Sequence, residues 1–94
     1  MIEVDGGLLR LEGPLTMATV GAVLEAGRQQ VAAADCVIDL SAVSTADSAA
    51  LALLFDWLRT ARKHGRCLAV RGMPDGLRSL AAVYGAATLL PPEG

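Results

Sequence analysis

The sequence predicts a small α/β domain: a mixed β-sheet of four to five strands, with helices packed mainly on one side, in the order β-β-α-β-α-β-α-β. Three observations predict it. Asp5-Gly6-Gly7 separates two short β-prone runs, and Asp-Gly and Gly-Gly tolerate the positive φ of tight hairpin turns. From Cys36 onward, apolar strand-like runs alternate with segments of helical period, which implies parallel pairing and right-handed crossovers. A chain of 94 residues with 53% apolar content supports one core and leaves no room for a second domain, so residues 1–94 form a single unit.

Each element has a local reason. Ile2 to Val4 and Leu8 to Glu12 are the hairpin strands, and Pro14 is expected to break the second of them. Thr16 then stands as the N-cap of a helix reaching to about Ala34, with Val20, Val23, Leu24, Gly27, Val31 and Ala34 along one buried face. Cys36 to Leu40, interrupted by Asp39, is the continuous apolar run of a central strand. Ser41 to Ala46 is expected to be a polar turn whose backbone N–H groups Asp39 accepts from. A second helix runs from Asp47 or Ser48 to about His64, where Gly65 supplies a left-handed stop. Cys67 to Arg71 forms another strand and Gly72 turns the chain. A third helix follows from Pro74 and Asp75 through Tyr84, with Leu77, Leu80, Ala81 and Tyr84 facing inward. Thr88 to Leu90 is expected as a last short edge strand before the tail Pro91-Pro92-Glu93-Gly94.

Composition excludes several function classes. The formal charge is -2 and the pI near 5.1, with basic residues scattered, so no basic stripe exists to follow a phosphate backbone and nucleic acid is not an expected partner. Cys36 and Cys67 lack CxxC spacing and a histidine pair, so no metal site is expected, and both read as reduced core residues of a cytosolic protein. Glu3 and Asp5 stand where a signal peptide would be basic, and no apolar run nears the ~20 residues of a membrane span. The expectation is a cytoplasmic protein without direct membrane insertion.

An enzyme is not expected either. His64, the only histidine, lies just before a helix-ending glycine, where its charge complements the helix dipole. No catalytic acid or nucleophile shares its sequence neighbourhood. Gly72-Met73-Pro74-Asp75-Gly76 lacks the Lys and Ser/Thr of a phosphate-binding loop, so no cofactor is expected.

The second helix carries the functional signal. Ala50, Leu53, Leu54, Trp57, Leu58 and Ala61 form one stripe at helical spacing, and it is the core face because it holds the indole. Opposite lie Ser48, Leu51, Ala52, Phe55, Arg59 and Arg62. Leu51 and Phe55 could pack beneath a loop, since single exposed apolar residues are common. The preferred reading is an apolar docking face for another protein, rimmed by arginine. Ser48 could be a simple cap, but Asp47 could cap equally well and leave Ser48 exposed in the first turn. A phosphate there would meet free N–H groups and the positive end of the helix dipole, adding roughly -1.5 to -2 charges in the middle of the face.

The strand-turn-helix run V-I-D-L-S-x-V-x-x-x-D-S-A-x-L at Val37 to Leu51 resembles the signature of STAS domains, and the element order of the whole chain agrees. Within that family the resemblance implies two partners. One branch, the anti-sigma-factor antagonists, is phosphorylated by a partner kinase at the serine after the aspartate, here Ser48. The other is the small cytoplasmic subunit of the Mla phospholipid-transport ABC system (MlaB-like), which binds the transporter's ATPase near the same helix. L-L-F-D-W-L-R-x-A-R at Leu53 to Arg62 is similar to the second branch, and so is an end at Gly94 where antagonists generally carry a fourth helix. Ala50 departs from the family, which usually has Gly there. The resemblance implies a non-enzymatic adaptor, held near the inner membrane by its partner and supporting lipid asymmetry. Its contact residues would be Thr45, Asp47, Ser48, Leu51, Ala52, Phe55 and Arg59, and a homodimer through the same patch is a further option.

Overall fold

The computed structural model describes residues 2–85. The expected strand at Thr88 to Leu90 lies outside them. β1 (Ile2–Asp5) and β2 (Leu8–Leu15) form the antiparallel hairpin, closed by Gly6 at φ 62, a left-handed conformation that a side chain would strain. β3 (Cys36–Ala46) lies parallel to β2, and β4 (Leu68–Arg71) parallel to β3, giving the order β1-β2-β3-β4. α1 (Val20–Ala33), α2 (Ser48–Lys63) and α3 (Asp75–Val83) complete the domain.

The alternation of side chains across the sheet shows where the helices sit. Leu9, Leu11, Cys36, Ile38, Leu40, Leu68 and Val70 share one face and are buried in a single cluster with Val23, Val31, Leu54, Trp57 and Leu77 of the helices. Leu8, Arg10, Val37, Asp39, Ala69 and Arg71 point the other way, and no described helix covers them. On this helix-free face Asp39 is 4% exposed. Its Oδ1 accepts from the Ser41 N–H at 2.9 Å and the Ser41 hydroxyl at 2.7 Å. Its Oδ2 meets Arg10 at 3.5 Å and Arg71 at 3.6 Å.

α2 is seated by one close contact. The Trp57 ring is fully buried against Gly27 of α1, and its Nε1 donates to the Leu24 carbonyl at 3.0 Å. A Cβ at Gly27 would overlap the indole, so only glycine fits. Beside it, Arg28 grips Asp56 through Nε and a terminal nitrogen, each at 2.8 Å, the bidentate geometry that fixes orientation as well as attraction. At the far end Gly65 adopts φ 69, and the Arg66 and Gly65 N–H groups return to the carbonyls of Ala61 (2.8 Å) and Arg62 (3.1 Å), a Schellman stop.

The structure corrects several expectations. β2 passes through Pro14 to Leu15, with a register shift between Gly13 and Pro14 absorbing the imino acid on a strand paired here only to β3. Thr16 does not cap α1. Its hydroxyl accepts from Ala18 N–H at 3.3 Å to close its own short turn, and the helix begins after Thr19. Ser41 to Ala46 is strand, not turn, because residues 42–46 keep pairing with β2 after β4 has ended. Asp39 therefore lies within β3, not at its end, although it does accept from Ser41 as expected. Tyr84 is 63% exposed because α3 ends at Val83, leaving Tyr84 beyond the inward-facing stripe. Cys67 is exposed, its N–H held by Asp35 Oδ1 at 2.9 Å, while Cys36 is buried as expected.

The packing of α1 on α2 can be tested with a pair of glycine variants. Gly27→Val is expected to lower stability in urea unfolding by about 2–3 kcal/mol through overpacking. Gly21→Ala, whose added Cβ meets nothing, is expected to be neutral or to stabilise by up to about 1 kcal/mol. Equal stability of the two variants would contradict the close contact at Gly27.

Hydrogen bonds from Ser41 hold the Asp39 carboxyl below the ordinary carboxylate range, and the Arg28 fork does the same for Asp56. Between the folded and ordinary values the unfolded chain binds more protons, so stability is full above that range and is lost as pH falls through it. Acid titration of the unfolding free energy is expected to show this loss, with Asp56→Asn flattening the slope.

Candidate functional site

The N-terminus of α2 is built by a two-stranded ribbon. Beyond Arg71 the β2–β3 pair continues alone, through register shifts between Arg10 and Glu12 and between Gly13 and Pro14, to Leu15 opposite Ala46. This extension carries Thr45, exposed, to the start of the helix. Asp47 follows in extended conformation and is the N-cap: its Oδ1 accepts from Ala49 N–H at 2.9 Å. Its Oδ2 accepts from Met17 N–H at 3.1 Å, so one carboxylate ties the β2–α1 loop to the first turn of α2.

With Asp47 capping, Ser48 occupies the first helical position and is exposed. One and two turns on, Ala52 is exposed and Phe55 half-buried against the core. Arg59 follows, 79% exposed at its side chain, with its guanidinium leaning back to Asp56 at 3.4 Å. Leu51 is a correction: it is 4% exposed and belongs to the core, not to the outward stripe. α2 is the middle helix, flanked by α1 and α3, so its buried arc runs from Ala50 and Leu51 through Leu58 and is wider than a single stripe.

Two features of the site carry no sequence signal. Met17, 79% exposed, stands beside the Asp47 cap. An apolar groove of about 250 Å³ also runs between α1 and α2, lined by Val20, Gly21, Leu24, Ala49, Ala52, Leu53 and Asp56. Placing the cap at Thr16 hides Met17 inside a helix, and nothing in the sequence pairs Gly21 with Ala52.

His64 caps the opposite end of α2, its Nδ1 2.9 Å from the Thr60 carbonyl, about 24 Å along the helix from Ser48. Among the described residues no His, Cys, Asp and Glu side chains gather into a metal-holding group, and no helix is long and apolar enough to cross a membrane.

The family model described as Mlab, STAS domain, matches residues 2–91. The chain is a STAS domain. Solved structures share its fold. A candidate anti-sigma factor antagonist from Thermotoga maritima aligns over 98% of this chain and 83% of its own, with a TM-score of 0.76 at 12% identity. The anti-sigma factor antagonist SpoIIAA in its unphosphorylated form aligns over 85% and 78%, with a TM-score of 0.68 at 14% identity. Among curated proteins none matches in sequence. The mixed sheet with its described helices on one side is the fold these structures share, and a protein-interaction role goes with the STAS family.

Asp47→Ala removes both bonds of the cap and is expected to cost about 1–2 kcal/mol in thermal or urea unfolding. Ser48→Ala is expected to leave stability unchanged. A large loss from Ser48→Ala would show that the serine, not the aspartate, holds the helix start.

Proposed function

We propose that this STAS domain is a non-enzymatic adaptor that binds the ATPase subunit of a phospholipid-transporting ABC complex on the cytoplasmic face of the membrane. The observation that carries this reading is the match of residues 2–91 to the Mlab branch of the family. The exposed start of α2 supplies the surface: Thr45, Ser48, Ala52 and Arg59, with Phe55 half-buried and Asp47 holding the turn. Leu51 supports this face from beneath. An adaptor without chemistry acts by preferring one conformation of its partner, so binding biases the ATPase toward an assembled or active state.

A second reading is an anti-sigma-factor antagonist switched by phosphorylation at Ser48. It is supported by the two antagonist structures with this fold and by the exposed hydroxyl at the first helical position, where free N–H groups favour a phosphate.

Ala52→Arg is the cleanest probe, because Ala52 is exposed and its replacement leaves the core intact. Calorimetric titration against the cognate ATPase subunit is expected to show at least tenfold weaker binding for Ala52→Arg and for Ser48→Asp. Full affinity of Ala52→Arg would overturn the docking surface. Loss of binding to a serine-kinase anti-sigma factor, with no ATPase binding by any form, would favour the second reading.

A further inference from the structure

We infer that the sheet face that no described helix covers is a self-association surface, on which a second copy of this chain docks about a two-fold axis running parallel to the strands. This face is opposite the docking helix, so the inference stands independently of the adaptor reading.

Strand register sets the pattern of charge. Glu3 pairs with Arg10, Arg10 with Asp39 and Asp39 with Arg71, so one row crosses all four strands with the charges −, +, −, +. The neighbouring row on the same face is Asp5, Leu8, Val37 and Ala69, with the last three half-buried. A two-fold axis along the strands reverses each row against itself. Glu3 then faces the partner's Arg71, and Arg10 takes the row position over the partner's Asp39, which is buried beneath that copy's own arginines. In the adjacent row Leu8 meets the partner's Val37, so apolar groups cover apolar groups. The other in-plane two-fold, along the rows, would place Glu3 on the partner's Glu3 and is repulsive throughout. The charge order therefore selects one orientation, and it is the one that keeps the two sets of strands nearly aligned, as in face-to-face sheet packing about 10 Å apart.

Within the chain, the contacts of Asp39 with Arg10 and Arg71 measure 3.5 and 3.6 Å, against 2.8 Å for the Arg28–Asp56 fork. The two arginine side chains are 46% and 41% exposed, so both guanidinium groups reach the surface of this face. Across the axis the Arg71 guanidinium lies opposite the partner's Glu3, while Asp39, 4% exposed, stays with its own Ser41, Arg10 and Arg71.

Sedimentation velocity on the full 94-residue chain, from micromolar to millimolar concentration, tests the inference. The expected result is a reversible dimer that weakens as salt is raised. Glu3→Arg is expected to weaken it roughly tenfold, because the axis applies the altered pair twice. Adding Arg71→Glu in the same chain is expected to restore it, since the exchanged charges again oppose each other across the axis. Ala69→Glu, which sets a carboxylate against the partner's Asp5, is a second disruptive variant, and thermal melts confirm that each variant folds. A monomer at millimolar concentration and low salt overturns the inference. So does a dimer indifferent to Glu3→Arg and Ala69→Glu.

Discussion

The seat of Trp57 on Gly27 is the constraint from which the rest of the domain follows. Burying the indole contributes on the order of 4–6 kcal/mol of transfer free energy, the largest single share in the core. The ring can be buried only because α1 presents bare backbone where it lies, and only with its N–H bonded to the Leu24 carbonyl. The contact fixes the separation of α1 and α2, while the Arg28–Asp56 fork fixes their rotation. Together they determine which side of α2 remains for a partner. Ser48 and Ala52 face outward because Trp57, Leu54 and Ala61 are held inward.

The second constraint is the way one carboxylate, Asp47, joins two segments distant in sequence. By accepting from both Ala49 and Met17 it places the β2–α1 loop against the start of α2. The site is thus a composite of strand, loop and helix rather than a feature of α2 alone. Its exposed groups are small or flexible: a hydroxyl, a methyl, a thioether. Such a surface suits a partner that lays its own structure closely against a helix.

Much of this fold was legible in the sequence, and the failures have physical causes. The hairpin was visible at Asp5-Gly6-Gly7 and the end of α2 at Gly65, because positive φ leaves a residue-level mark. Gly27 was visible as a member of the buried stripe of α1, but its need to be glycine was not, since the clashing ring arrives from thirty residues away. The strand at Ser41 to Ala46 read as a turn because its ribbon is flanked by solvent and carries no apolar alternation. Leu51 read as exposed because periodicity gives the direction of a buried face and not its width, which α3 sets. At the site, the sequence narrowed the cap to Asp47 or Ser48 and tied the exposure of Ser48 to the first choice, which the Asp47 bond to Ala49 N–H decides, whereas Met17 and the α1–α2 groove depend on packing between elements.

If the start of α2 is the surface that a partner covers, its backbone must be shielded when the two meet. Hydrogen–deuterium exchange of the chain with and without the ATPase subunit reads this shielding residue by residue. The predicted result is slowed exchange at Met17 to Gly21 and Thr45 to Ala52, with the helix-free sheet face unchanged by the partner. Protection confined to the sheet face or to α3, with the first turns of α2 exchanging as in the free chain, would contradict it.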